Sequence, residues 1–301
     1  MIQFSIIIPH KNSVQYLPKL FSSIPDRNDL EIIVVDNSPT PVTKEDIHVE
    51  RNYTLLYSPV ERYAGGARNV GLDYANGKWI LFLDADDYFA EGAFDFFYSK
   101  VDSDADIIFT GMGGVYLDTG EPSDRGDYYT NLIRSFINKE VSEESIRLGF
   151  DSPCCKMIRH DLVKKHCIRF DEIVAGNDVF FSLASGYFAS KIEAYDVITY
   201  IATVSRGTLT KRRDFPVLEA RLYSRLHYNQ FVKTHGLRKW QRSVVSPFVD
   251  GKHLGLKAYF RFIRLILLFR QNPFIGMTRW FSTFKSIKKQ KEKDAVYITK
   301  R

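Results

Sequence analysis

The sequence predicts an α/β protein, with a mostly parallel sheet covered by helices on both faces and a basic helical region after it. Two patterns lead there. In the first part of the chain, short apolar runs closed by turn-forming residues alternate with segments of helical period. Further on the charge reverses. Residues 1–205 hold 19 Lys+Arg against 31 Asp+Glu, whereas residues 206–301 hold 23 against 5. An acidic body over residues 1–212 and a basic, aromatic-rich helical region over 213–301 are therefore expected.

The elements follow in order. Phe4-Ser5-Ile6-Ile7-Ile8 is a buried strand stopped by Pro9, and Leu17, Leu20, Phe21 and Ile24 lie on one face of a helix. Glu31-Ile32-Ile33-Val34-Val35 is a second strand, closed by the turn sequence Asp36-Asn37-Ser38-Pro39. Thr54-Leu55-Leu56-Tyr57 reads as a third strand. Gly65-Gly66 opens a helix through Val70 and Tyr74 that Asn76-Gly77 closes. Trp79-Ile80-Leu81-Phe82-Leu83 is a fourth strand leading directly into Asp84. A helix near Glu91–Lys100 and the strand Asp106-Ile107-Ile108-Phe109 complete the alternation. From about residue 111 to 150 turns (Gly113-Gly114, Asp118-Thr119-Gly120) and a polar helix are expected. Residues 216–285 read as helical. Their longest uncharged apolar run, Leu265–Phe269, is far short of the roughly 20 residues a membrane span needs.

Hydrophobic content of 45% and charged content of 26% fit a folded globular protein rather than a disordered one. The N-terminus has no basic segment or small-residue cleavage site, so a signal peptide is not expected. Cys154, Cys155 and Cys167 form neither a disulfide framework nor a metal-knuckle spacing, and are read as buried thiols in a reducing cytoplasm.

In open parallel sheets ligands sit at the carboxyl ends of the strands, where Pro9, Asp36 and Asp84 fall. Asp84, Asp86 and Asp87 crowd the end of one strand, and three mutually repelling carboxylates there call for a cation. A hard divalent ion, Mn²⁺ or Mg²⁺, suits carboxylate oxygens and also coordinates a diphosphate, reconciling an acidic body with an anionic nucleotide. The same residues also suit a solvated acidic turn before a helix. Asp36 can accept from a nucleobase or ribose, or simply close an Asx turn. Arg68, behind Gly65-Gly66, marks an anion site at a helix start. Asp178 follows a glycine turn and precedes an apolar helix, where it can serve as a general base or as an ordinary cap. Ser205-Arg206-Gly207-Thr208-Leu209-Thr210 is a hinged polar loop suited to closing over a diphosphate.

Four blocks occur in one order: Ser5–Asn12, Glu31–Ser38, Gly66–Leu72 and Gly77–Asp87, followed by Gly176-Asn177-Asp178 and Arg206–Thr210. Together they resemble the family 2 glycosyltransferases, which have the GT-A fold, over roughly residues 3–212. The resemblance implies inverting transfer from a nucleoside-diphosphate sugar, most often a UDP-sugar, with Mn²⁺ or Mg²⁺. It places Pro9 and Lys11 beside the base, Asp36 on the uracil, Arg68 near base and phosphates, and Asp84 on ribose or metal. Asp86 becomes the metal ligand and Asp178 the base. Lys11 stands where many members carry an aromatic residue, and Asn177 where most carry Glu.

The expected protein is therefore an inverting, metal-dependent glycosyltransferase of bacterial surface-polysaccharide type, acting on a glycan or lipid-linked acceptor. A metal-dependent nucleotidyltransferase, a nucleic-acid binder and a degenerate sugar-nucleotide-binding protein are the alternatives. No Gly-rich, basic NTP loop follows the first strand, and the acidic body would repel nucleic acid. The basic end, with 13 Lys+Arg against 2 Asp+Glu over residues 251–301, points instead to an anionic membrane surface. Lys257, Arg261 and Arg264 form one helix face, and Lys285, Lys288, Lys289, Lys291 and Lys293 extend the charge. A cytoplasmic enzyme held peripherally on the inner membrane face is the resulting expectation.

Overall fold

Continuous apolar runs become strands. β1 (Phe4–His10), β2 (Leu30–Asp36), β3 (Thr54–Tyr57) and β4 (Trp79–Phe82) lie parallel in the order β3-β2-β1-β4. β1, β2 and β4 are largely buried, and the edge strand β3 is half-buried to exposed. This computed structural model describes residues 1–204 and 212–275. Two helices lie among these strands, α1 (Leu17–Ser22) and α2 (Tyr63–Tyr74). Past β4 come β5 (Tyr88–Phe89), α3 (Ala93–Ser99), β6 (Ile107–Tyr116), β7 (Pro122–Ser123), α4 (Asp127–Ile137), α5 (Glu143–Gly149), β8 (Lys156–Arg159), α6 (His160–Lys165), α7 (Val179–Phe188) and β9 (Ile192–Val204). They extend the sheet as β4-β8-β6-β9-β5, with β7 on β6. β8 runs antiparallel to both of its neighbours, whereas β6 and β9 are parallel.

Pro9 sits inside β1 at no cost to the ladder. Ile7 O accepts from Leu83 N and His10 O from Asn37 N, so alternate residues face β4 and β2. Pro9 faces the β4 side, and the pairing of β1 with β4 stops at Ile7–Phe82. Its missing N–H falls where there is no partner strand.

Gly65 and Gly66 lie in the first turn of α2, buried, and two other expectations are corrected. A Cβ on Gly65 would meet Asp171 O at 2.0 Å, so packing against that backbone, not turn flexibility, requires glycine. Gly113-Gly114 is not a turn: β6 continues through it to Tyr116, paired with β9. Of the three cysteines, Cys154 and Cys155 are buried but Cys167 is exposed.

The chain divides into two compact units, Met1–Lys211 and Arg212 onward. In the second, α8 (Phe215–Thr234), α9 (Ser246–Asp250) and α10 (Leu256–Leu268) surround a small core of Leu218, Leu222, Leu226, Val244, Phe262 and Ile266. Asp214 caps α8, its side chain accepting from Val217 N. Among the described residues no helix is long and apolar enough to cross a membrane.

Candidate active site

Side chains converge on the carboxyl ends of β1, β2 and β4. At the end of β2, Asp36 is buried and accepts four hydrogen bonds. Oδ1 takes His10 Nδ1 at 2.8 Å, Ser38 Oγ at 2.6 Å and Ser38 N at 3.2 Å, and Oδ2 takes Val42 N at 3.0 Å. Ser13 N donates to His10 Nε2, so the ring proton sits on Nδ1 and points at Asp36. Burial alone would raise the Asp36 carboxyl, but the bonds from Ser38, His10 and Val42 outweigh it and hold it below its ordinary value. The loop after β1 is tied to the loop after β2 by Asn12 N donating to Ser38 Oγ at 2.9 Å. Asn12 has φ of 51°, a left-handed conformation that asparagine tolerates. Lys11, beside it, is exposed.

At the end of β4 the three carboxylates divide. Asp87 is not part of a cation cluster: it is buried against β9, accepting Tyr200 Oη at 2.5 Å and Thr203 N at 2.7 Å. Thr203 Oγ1 also donates to Asp86 O, and Tyr200 Oη accepts from Asp84 N at 3.2 Å. The last strand of the unit therefore fastens the turn. Burial, then Asp86 and Asp84, push the Asp87 carboxyl well up. That leaves Asp84, half-buried, and Asp86, exposed, to face a ligand. The Asp86 carboxyl is raised by desolvation first and Asp84 second, with Arg125 opposing. Two hard carboxylates suit a divalent cation. Among the described residues, however, no group of three His, Cys, Asp or Glu is placed to hold one.

Arg68 joins this turn to the segment carrying Asp178. From α2, its Nη2 donates to Asp84 Oδ1 at 2.5 Å and its Nη1 to Asn177 Oδ1 at 2.9 Å. The guanidinium is buried, and its Nε has no hydrogen-bond partner. Next in sequence, Asn69 exchanges hydrogen bonds with the Phe170 backbone in both directions, Nδ2 to O at 3.1 Å and Oδ1 from N at 2.9 Å. Arg62 forks onto Glu172 from the start of the same helix. Beneath, Phe170 stacks on Phe181 with centroids 4.0 Å apart, and Phe82 meets both rings edge-on. Gly176, with φ of 73°, makes the turn before Asn177.

Asp178 precedes the first residue of α7 but makes no side-chain cap bond, so capping does not account for it. Its carboxyl is pushed up to about 6, chiefly by removal from water, with Asp151 and Asp84 adding and Arg68 opposing. A carboxylate poised there can take a proton near neutral pH. Lys156, at the start of β8, shares this electrostatic neighbourhood. Its Nζ donates to Phe150 O at 2.8 Å, and burial brings its pKa down to about 7.

The structure thus brings Arg68, Asp84 and the Asn177-Asp178 segment together, with Asp86 beside Asp84. Pro9 and Asp36 lie at neighbouring strand ends, with exposed Lys11 in the loop after β1. The Ser205–Thr210 loop lies outside the described residues. His10, Asn69, Tyr200, Thr203 and Lys156 were not read as site residues. A histidine ending an apolar strand was a usable signal for the first, and the others have no local one. A surface recess lined by Ile24, Asp26, His48 and Arg51, among others, lies toward the opposite, amino ends of β2 and β3 and holds no candidate residue.

A parallel half-sheet, an acidic turn after β4 and a mixed second half are the arrangement of the GT-A fold. Residues 5–167 match the glycosyl transferase family 2 model, and the chain belongs to that family. It is 28% identical over 218 residues to the poly(ribitol-phosphate) beta-N-acetylglucosaminyltransferase TarS of Staphylococcus aureus, a match covering 69% of this chain and 36% of that protein. The chain thus spans little more than a third of that relative. The solved structure of residues 1–349 of S. aureus TarS in complex with UDP-GlcNAc superposes with a TM-score of 0.64 at 23% identity, covering 89% of this chain and 80% of the other. The mannosyltransferase PcManGT from Pyrobaculum calidifontis, in complex with GDP-Man and Mn²⁺, superposes with a TM-score of 0.55 at 15% identity, covering 92% and 83%.

Proposed function

We propose that this glycosyltransferase moves a sugar from a UDP-sugar to a hydroxyl of a glycan or lipid-linked acceptor, with inversion at the anomeric carbon, in bacterial surface-polysaccharide synthesis. The observation that carries the reading is the Arg68 bridge, which sets the acidic turn of Asp84 and Asp86 beside Asn177-Asp178. One end of that bridge suits a diphosphate and the other a base. Asp178 takes the proton from the acceptor hydroxyl, whose oxygen forms the new bond to the anomeric carbon. The bond from that carbon to the diphosphate breaks, and its electron pair leaves with the nucleotide. Asp86, with Asp84 beside it, is the group that would hold Mn²⁺ or Mg²⁺, which when bound neutralises charge on the leaving diphosphate. Asp36, held by His10 and Ser38, faces the nucleoside end, with Pro9 and Lys11 at the rim. TarS and PcManGT, seen with UDP-GlcNAc and with GDP-Man and Mn²⁺, support a nucleotide-sugar donor and a metal.

A panel of nucleoside-diphosphate sugars, scored by metal-dependent release of the diphosphate, tests the reading. Turnover is expected with UDP-sugars and is expected to stop with chelator. Pyrophosphate release from a nucleoside triphosphate would overturn it in favour of nucleotidyl transfer.

A further inference from the structure

We propose that α10 docks the protein flat on an anionic lipid surface through a second apolar row that the core does not use. The helix buries Ala258, Phe262 and Ile266, the latter two against Leu218, Leu222 and Leu226 of α8. Those contacts satisfy its place in the second unit. A different row, Leu256, Phe260, Ile263 and Leu267, stays 78, 70, 46 and 69% exposed. These residues recur at i, i+4, i+7 and i+11, so at about 100° per residue they fall within an arc of roughly 60°. The next row round the helix is Lys257, Arg261 and Arg264, all exposed. Arg261 is paired with Glu219, while no ion pair holds Lys257 or Arg264 among the described residues.

One helix therefore presents a core face, an apolar face and a cationic face between them. Four large apolar side chains aligned in water form a patch that soluble surfaces seldom keep without a partner. Charge selects the partner. Residues 251–301 carry 13 Lys+Arg against 2 Asp+Glu, a surplus suited to an extended anionic plane rather than to one groove. An amphipathic helix with an apolar row and flanking cations lies in the headgroup layer of such a plane without crossing it. Docking of this kind would bring the enzyme to lipid-linked acceptors. It stands on the surface of α10, however, and is independent of the donor chemistry.

The test is co-sedimentation of the full chain with vesicles of phosphatidylcholine alone or mixed with phosphatidylglycerol. Binding is expected only with the anionic lipid, and should weaken as salt rises. The triple variant Phe260→Ser, Ile263→Ser, Leu267→Ser should reduce it by roughly tenfold or more. The double variant Lys257→Glu, Arg264→Glu, confined to exposed positions, should do likewise while preserving the circular dichroism of the parent. Release of UDP with a soluble acceptor should be unchanged in both, which separates loss of docking from loss of catalysis. Equal binding to neutral vesicles, none at low salt, or undiminished binding by both variants overturns the proposal. So does a concentration-dependent dimer in solution that the triple variant dissociates, since a second copy would then cover the row.

Discussion

The proton affinity of Asp178 is set by burial and by the charges around it rather than by its position at a helix start. Removal from water raises its pKa and the Arg68 charge opposes that rise, so the carboxylate is a competent base only above about pH 6. The kcat of the parent is expected to fall as pH drops through 6, because the protonated form accepts no proton. Asp178→Asn should lower kcat by about 10²–10⁴ while leaving donor affinity nearly unchanged, and calorimetric titration with UDP beside a turnover assay distinguishes the two effects. Collapse of donor binding with turnover retained would show that Asp178 binds rather than catalyses. Arg68→Met removes the opposing cation, so the acid limb of the pH profile should move upward. It also strands the Asp84 carboxylate and the Asn177 amide, at a cost of roughly 1–3 kcal/mol in urea unfolding. An unshifted limb would mean that Arg68 does not act on Asp178. Asn177 accepts from Arg68 through its neutral amide oxygen. It therefore preserves the bridge without adding a second charge beside the base.

Elements hold the site residues in place, and small changes in their packing reach the site. Gly65→Ala would drive a methyl group into the Asp171 carbonyl, forcing α2 away from the 170–178 segment. A loss of about 1–3 kcal/mol is expected from denaturant unfolding, with a larger proportional loss of turnover, since both Arg68 and Asn69 move with the helix. Tyr200→Phe keeps the ring but removes the bonds to Asp87 and from Asp84 N. The metal concentration for half-maximal turnover should rise severalfold, while the fold persists by circular dichroism. What the sequence made legible has the same basis. β1, β2, β3 and β4 are apolar runs with turn residues at their ends, and period alone finds them. β5 has two residues, β8 begins on a lysine, and β9 mixes exposed and buried positions without a steady alternation. None announces itself, because its pairing is decided by strands elsewhere in the chain. Gly113-Gly114 misleads for a related reason, since glycine there admits Ser123 and Arg125 against β6. The residues Arg68, Asp84 and Asp178 were each readable. That Arg68 and Asn177, 109 positions apart, would share a hydrogen bond was not.

At the scale of the molecule the charge division should be felt in binding of the proposed donor. Residues 1–205 carry 31 acidic against 19 basic side chains, so UDP would meet a repulsive field unless a divalent cation offset it. Without metal, UDP affinity should rise as salt screens that field; with Mn²⁺ the dependence should flatten or reverse. Titrations at low and high ionic strength decide the matter, and metal-free affinity that falls with salt would contradict it. The fastening of the acidic turn by β9 also bears on synthesis. Asp87 and the Thr203 amide that holds it are separated by 116 positions. At roughly 5–20 residues per second on the ribosome, about 6–23 s pass between the two emerging. For most of that interval the nascent chain has made every carboxylate of the turn but nothing from β9 to anchor it. Ribosome-bound chains stalled before Tyr200 should therefore fail to retain UDP, and those stalled after the whole of β9 has cleared the exit tunnel should begin to, making nucleotide capture one of the last properties the catalytic unit acquires as it is born.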